Sequence, residues 1–196
     1  EAESVYLAAL VLAVGRVDET ERFLTGIKGS SGDNRESRSA EALRKVIAAV
    51  KLRPVPSNSQ PSTLDAQRST LLATEWLAES YYQQSRAKLE SALNAARAAT
   101  QKSPEFGFAW ARLGELEFSF GRVGPTRAAL AKALRLSPRN AQAWVAEGFV
   151  LAAENRIREA FDRFESAIAL DGALGNAWLG RGLIRIRRGE IEAGRK

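Results

Sequence analysis

Tryptophan recurs at Trp76, Trp110, Trp144 and Trp178, at a constant interval of 34 residues (110−76, 144−110, 178−144). A fixed period of that length marks a chain built from repeated helix-turn-helix units. Each unit is too small to bury its own apolar face and must stack on its neighbours. Such a stack offers an extended concave surface to a partner. The period therefore limits fold and function class together, without naming a ligand.

The register extends well beyond tryptophan. With position 1 at Ala73, Gly107, Ala141 and Gly175, position 4 is Trp in every unit and position 8 reads Ser80, Gly114, Gly148, Gly182. A small side chain there lets a paired helix approach closely. Position 20 reads Ala92, Thr126, Ala160 and Gly194, and position 27 is Ala99, Ala133 and Ala167. Pro104 and Pro138 stand at position 32, where proline ends a helix, and Asp171-Gly172 supplies a turn at the same place.

Over residues 73–196 this pattern resembles the tetratricopeptide repeat (TPR) family. The resemblance implies an all-α, right-handed α-solenoid with repeats at 73–106, 107–140 and 141–174 and a partial one at 175–196. Leu179, Leu183 and Ile186 of that partial repeat lack a full successor, so the natural protein is expected to continue past Lys196. A first residue of Glu1 in place of Met points to a processed or excised piece.

The N-terminal region is less regular. Residues 1–28 carry a helix-turn-helix pattern with Ser4 in place of the tryptophan, and residues 29–38 (GSSGDNRESR) read as a polar loop. Residues 39–54 (SAEALRKVIAAVKLRP) look like the second helix of a repeat, and Pro54, Pro56 and Pro61 mark a linker over 54–61. Ser62 or Thr63 caps a further helix running through Leu71. The expected division is a divergent helical region, 1–61, and a TPR array, 62–196, with no strands. The apolar run Val5–Val14 is far shorter than the ~20 residues a spanning helix needs. Glu1 and Glu3 stand where a signal peptide carries basic residues, so the run reads as a buried helix and no membrane span is expected.

Four fragments, "EWLAESYYQQSR", "FAWARLGELEFSFGR", "LSPRNAQAW" and "GALGNAWLGRGLIRIRRG", are also similar to the TPR arrays of large bacterial FecR-domain proteins. That resemblance implies a scaffold attached to a FecR-type sensor or anchoring domain, which these residues do not contain. It favours a bacterial periplasmic or envelope-facing setting over a cytoplasmic one.

Catalytic chemistry has few groups to use. The chain has no His and no Cys, which removes Ser-His-Asp triads, thiol nucleophiles and His- or Cys-bound zinc. No glycine-rich phosphate loop follows a strand. Glu75 and Glu79, at i and i+4, are either a solvated acidic face or an acid-base pair of the glycosidase kind. The expectation is a non-enzymatic protein without cofactor or metal.

The TPR resemblance implies a groove lined by positions 2, 5, 9 and 12 of each first helix. These are Thr74, Leu77, Tyr81, Gln84; Phe108, Ala111, Glu115, Phe118; Gln142, Val145, Phe149, Ala152; and Asn176, Leu179, Leu183, Ile186. Leu77 and Tyr81 stand where chaperone-binding relatives begin a Lys/Asn carboxylate clamp, so that clamp is not expected. The candidate partner-binding residues are Leu77, Tyr81, Phe108, Glu115, Phe118, Val145, Phe149, Leu179 and Leu183. So apolar a groove needs a cover. The cover is a peptide or helix of a protein partner, or else the chain itself near residues 64–72 or beyond its end.

Charge adds two readings. Position 7 holds Glu79, Leu113, Glu147 and Arg181, and Glu147 with Arg181 forms an inter-repeat ion pair or a polar contact within the groove. The net charge is +6, with Arg185, Arg187, Arg188, Arg195 and Lys196 crowded at the end. Nucleic-acid or anionic-surface binding through that face is the alternative function, against a merely solvated convex face.

Overall fold

The computed structural model describes residues 2–25, 27, 35–54 and 71–195. Among these residues every regular element is a helix: α1 (Ala2–Ala13), α2 (Val17–Thr25), α3 (Arg35–Val50), α4 (Ala73–Ser85), α5 (Leu89–Lys102), α6 (Gly107–Ser119), α7 (Val123–Leu136), α8 (Ala141–Ala153), α9 (Ile157–Leu170), α10 (Gly175–Arg187) and α11 (Ile191–Gly194). The fold class is all-α, a solenoid of helix-turn-helix repeats. The helices form two compact units, residues 1–102 and 103–196.

The turn inside each repeat recurs as strictly as the tryptophans. Ala87, Gly121, Asn155 and Gly189, again 34 apart, adopt left-handed φ of 58°, 70°, 62° and 84°. Each donates its N–H to the carbonyl three residues back, and the next N–H reaches five residues back, as Gly121 to Phe118 (2.8 Å) and Arg122 to Glu117 (3.0 Å). This pair of bonds satisfies the orphan carbonyls of the first helix and reverses the chain. Gly15 (φ 79°) ends α1 in the same way, so the α1–α2 hairpin uses the repeat's own turn. Ala87 is the strained member, because its Cβ crowds the carbonyl in this region. Ala87→Gly is expected to raise stability by about 0.5–1 kcal/mol, read from the denaturation midpoint.

The core of the second unit is set by matched sizes. Phe164 on α9 is fully buried, and a Cβ on Gly148 would stand 2.8 Å, and one on Gly180 2.2 Å, from its ring. One repeat earlier Leu130 takes the place of Phe164, and a Cβ on Gly114 would meet it at 2.7 Å. Small residues on first helices thus make room for the large one on a second helix. α8 packs on α6 and α7, and α10 packs on α8 and α9.

The described tryptophans lie between core and surface. Trp110 and Trp144 are half-buried and Trp178 is 43% exposed. Each indole N–H donates to the carbonyl six residues earlier: Trp110 to Pro104 (2.8 Å), Trp144 to Pro138 (2.8 Å), Trp178 to Gly172 (2.9 Å). The period therefore reflects a staple that pins each inter-repeat turn to the helix it precedes.

Other expectations change in the N-terminal unit. Residues 35–38 of the expected loop already belong to α3, and Leu71 and Leu72 lie outside any helix, with α4 starting at Ala73. Pro56, Pro61, Ser62 and Thr63 fall outside the described residues. α1 is only partly covered: Ala8 is buried, while Tyr6, Leu10 and Val14 are exposed. Among the described residues it packs on α2 and α3. No helix among the described residues is long and apolar enough to cross a membrane.

Candidate functional site: an apolar cleft between α1, α3 and α4

Three helices of the first unit each turn one stripe toward a common cleft of about 260 Å³. α3 contributes Ser39, Ala42, Leu43 and Val46, and α4 contributes Thr74, Leu77, Ala78 and Tyr81. Both sets follow the i, i+3, i+4, i+7 spacing of a single helical face. Val5 and Ala9 of α1 complete the wall. The lining is mainly aliphatic, with hydroxyls from Ser39, Thr74 and Tyr81, and Tyr81 is 37% exposed.

Ion pairs fix α3 against α4 beside this cleft. Arg38 grips Glu75 with two donors, Nε at 3.2 Å and Nη2 at 2.6 Å, and Lys45 Nζ stands 2.7 Å from Glu79. Glu75 also accepts the Leu72 N–H at 2.6 Å, closing the start of α4. Glu75 is buried and Glu79 half-buried, so the two carboxylates do not form a solvated face. They are inter-helix clamps.

Of the nine expected groove residues, Leu77 and Tyr81 line the cleft. The second unit treats the others differently. Val145 is 4% exposed within the core of Leu151, Phe164, Ala177 and Ile184, because α10 packs over α8. Phe149 stacks edge-on to Phe164 at 5.0 Å, and Phe118 packs against Ala111, Leu130 and Val150. Val145 is thus core, while Phe118 and Phe149 are half-buried and pack against it or its neighbour cluster. Phe108, 53% exposed, has its ring 6.1 Å from Phe106. Leu179 and Leu183 are 57% and 47% exposed on the last full helix. The sequence reading missed the contributions of α1 and α3, although the Ala42/Val46 stripe was visible as an i, i+4 pair.

Glu147 and Arg181 do not pair with each other. Arg163 Nε lies 2.8 Å from Glu147 in ion-pair contact, off the hydrogen-bond line, and Arg181 donates to Glu165 at 3.1 Å. The arginine-rich end is likewise engaged internally. Arg187 donates to Ala152 O and Asn155 Oδ1, Arg185 donates to Ala193 O, and Arg188 lies over Phe161 at 4.5 Å.

Glu115 carries the one titration of interest. Burial holds its carboxyl above the ordinary value of 4.5, while Arg112, 3.1 Å away, pulls the other way. A folded carboxyl that binds its proton more tightly than the unfolded one loses stability as pH rises from 4.5 through its raised pKa. Glu115→Gln is expected to flatten the stability profile just above pH 4.5. Urea midpoints across that range, compared with the parent, check it.

Neither a family model nor a curated protein matches the sequence. Solved structures do. Pseudomonas aeruginosa PilF is similar over 98% of this chain and 85% of its own, with a TM-score of 0.61 at 14% identity. The Arabidopsis OM64 TPR domain is similar over 58% of this chain and 93% of its own, with a TM-score of 0.52 at 14% identity. The fold is that of the tetratricopeptide repeat. A chain of the APC/C hetero-tetramer Cut9–Hcn1 matches 95% of this chain, which spans 35% of that longer one, with a TM-score of 0.71 at 16% identity. At such identities the likeness is one of fold.

Proposed function

We propose that this TPR protein is a non-enzymatic scaffold that captures a peptide or helix of a partner protein in the cleft between α1, α3 and α4. The observation that carries the reading is the 260 Å³ cleft itself, aliphatic in its walls and with Tyr81 at 37% exposure. An amphipathic segment seats aliphatic anchors in such a groove and leaves its polar face outside. The TPR-type neighbours support the class, Cut9–Hcn1 being by its description a hetero-tetramer. The proposal keeps the division into a divergent region, 1–61, and an array, 62–196, and the envelope-facing bacterial setting that the FecR-protein resemblance implies.

Tyr81→Ala tests the site. Loss of an exposed aromatic anchor is expected to weaken partner binding about 30-fold, on the scale of a binding hot spot, while circular dichroism stays unchanged. Equal loss of helicity and binding would make Tyr81 internal packing. The arginine-rich face is the weaker reading, since Arg185, Arg187 and Arg188 are tied to the chain's own carbonyls, amide and ring.

A further inference from the structure

Each tryptophan of the second unit holds a cation against its ring. Lys132 Nζ lies 4.1 Å from the Trp110 ring centre, and the guanidinium carbons of Arg163 and Arg181 lie 5.1 and 4.2 Å from those of Trp144 and Trp178. The three come from different repeat positions, 26, 23 and 7, so the same contact has been met three ways. In the first repeat those positions are Ala98, Ala95 and Glu79. Among the described residues no cation stands over Trp76. A cleft of about 220 Å³ opens beside it instead, between α4 and α5, lined by Trp76, Glu79, Gln83, Ser91, Asn94 and the two alanines.

We propose that this cleft receives a lysine or arginine side chain of a partner polypeptide, seated on Trp76. An aromatic face attracts a cation through its ring quadrupole, most strongly for tryptophan. The Ser91 hydroxyl and the side-chain carbonyls of Asn94 and Gln83 supply acceptors for its N–H groups. Gln83 donates from Nε2 to Glu79 at 2.6 Å, which leaves its own oxygen as an acceptor, and Lys45 holds the Glu79 carboxylate in place at 2.7 Å. Lysine and arginine side chains already lie 4.1–5.1 Å from the ring centres of the three sister tryptophans. Trp76, Glu79 and Gln83 lie on the side of α4 opposite Thr74, Leu77 and Tyr81, by the 3.6-residue period. The cation site is therefore separate from the apolar cleft and goes beyond it.

The test uses the whole chain with ¹⁵N-labelled indoles, Trp76 being assigned by Trp76→Phe. Acetyl-arginine amide, acetyl-lysine amide, acetyl-norleucine amide and tetramethylammonium chloride are the probes. The Trp76 indole signal is expected to shift saturably with the arginine and lysine amides, with norleucine amide at least about fivefold weaker. Ala98→Lys, which copies Lys132 onto the first repeat, is expected to abolish the shift while helicity is kept. The exposed pair Ser91→Ala/Asn94→Ala is expected to weaken it, and Tyr81→Ala to leave it unchanged. No shift with any probe, an equal response to norleucine amide, or a shift that survives in Ala98→Lys would overturn the proposal. Tetramethylammonium binding at lower concentration than either amide would overturn the polypeptide source and assign the site to a small ammonium ion.

Discussion

Phe164→Ala is expected to lower the unfolding free energy by about 3–5 kcal/mol, the range for truncating a fully buried phenylalanine. The ring is at 0% exposure, meets Phe149 edge-on, and fills space left open by Gly148 and Gly180 on two first helices. No side chain on either glycine is placed to relax into the void, so collapse recovers little. The converse substitution tests the same fit. A Cβ at Gly180 would sit 2.2 Å from the ring, so Gly180→Ala forces the phenyl or α10 to move, at about 1–3 kcal/mol. Gly180→Ala combined with Phe164→Leu is expected to cost less than the sum of the two singles, since both act on one contact. Hydrogen exchange of the α8–α10 amides reads this locally, which matters in a chain of two compact units. Additive costs would show that the two residues do not share that packing.

Arg38→Ala is expected to cost about 3 kcal/mol in the first unit, the lower end of the range for breaking a buried pair. It strips two of the three donors from Glu75, whose remaining bond is the Leu72 N–H. The Glu75 side chain is 11% exposed, so water cannot replace the guanidinium fully. The double variant Arg38→Ala/Glu75→Gln is expected to lose less than Arg38→Ala alone, because no buried charge is then orphaned. Protection of the α3 and α4 amides is the readout. A loss below about 0.5 kcal/mol would place the pair among ordinary surface ion pairs.

The sequence carried the array's geometry because one physical constraint repeats at each unit. Helices α4, α6, α8 and α10 all begin at position 1 of the register read from tryptophan, and the small residues at position 8 do admit Leu130 and Phe164. The left-handed turn at Ala87, Gly121, Asn155 and Gly189 was harder to see, since three residue types serve one conformation. Trp110 and Trp144 pack against the core clusters while each indole N–H binds a turn carbonyl, at Pro104 or Pro138, so they join core and inter-repeat turn.

The site was legible in part for a related reason. Leu77 and Tyr81 project from α4 as the repeat pattern requires, but the opposite wall comes from α1 and α3, which lie outside the 34-residue tryptophan register. In the second unit Val145 holds a groove position by analogy yet is buried by the stacking that builds the core, and Phe149 is half-buried against it. The ion pairs follow reach and angle, which spacing alone does not encode. Glu147 meets Arg163 across its own repeat's helices, and Arg181 meets Glu165.

The central claim is that the α1–α3–α4 cleft takes a segment of another protein. Its most direct test replaces Tyr81 with the photo-crosslinker p-benzoylphenylalanine, irradiates the protein in a bacterial extract, and maps the crosslinked peptides by mass spectrometry. The account predicts crosslinks to one amphipathic segment of a partner, competed away by unlabelled wild-type chain but not by its Leu77→Asp variant. Crosslinks confined to this chain's own residues would show a cleft filled from within, and would contradict the scaffold reading.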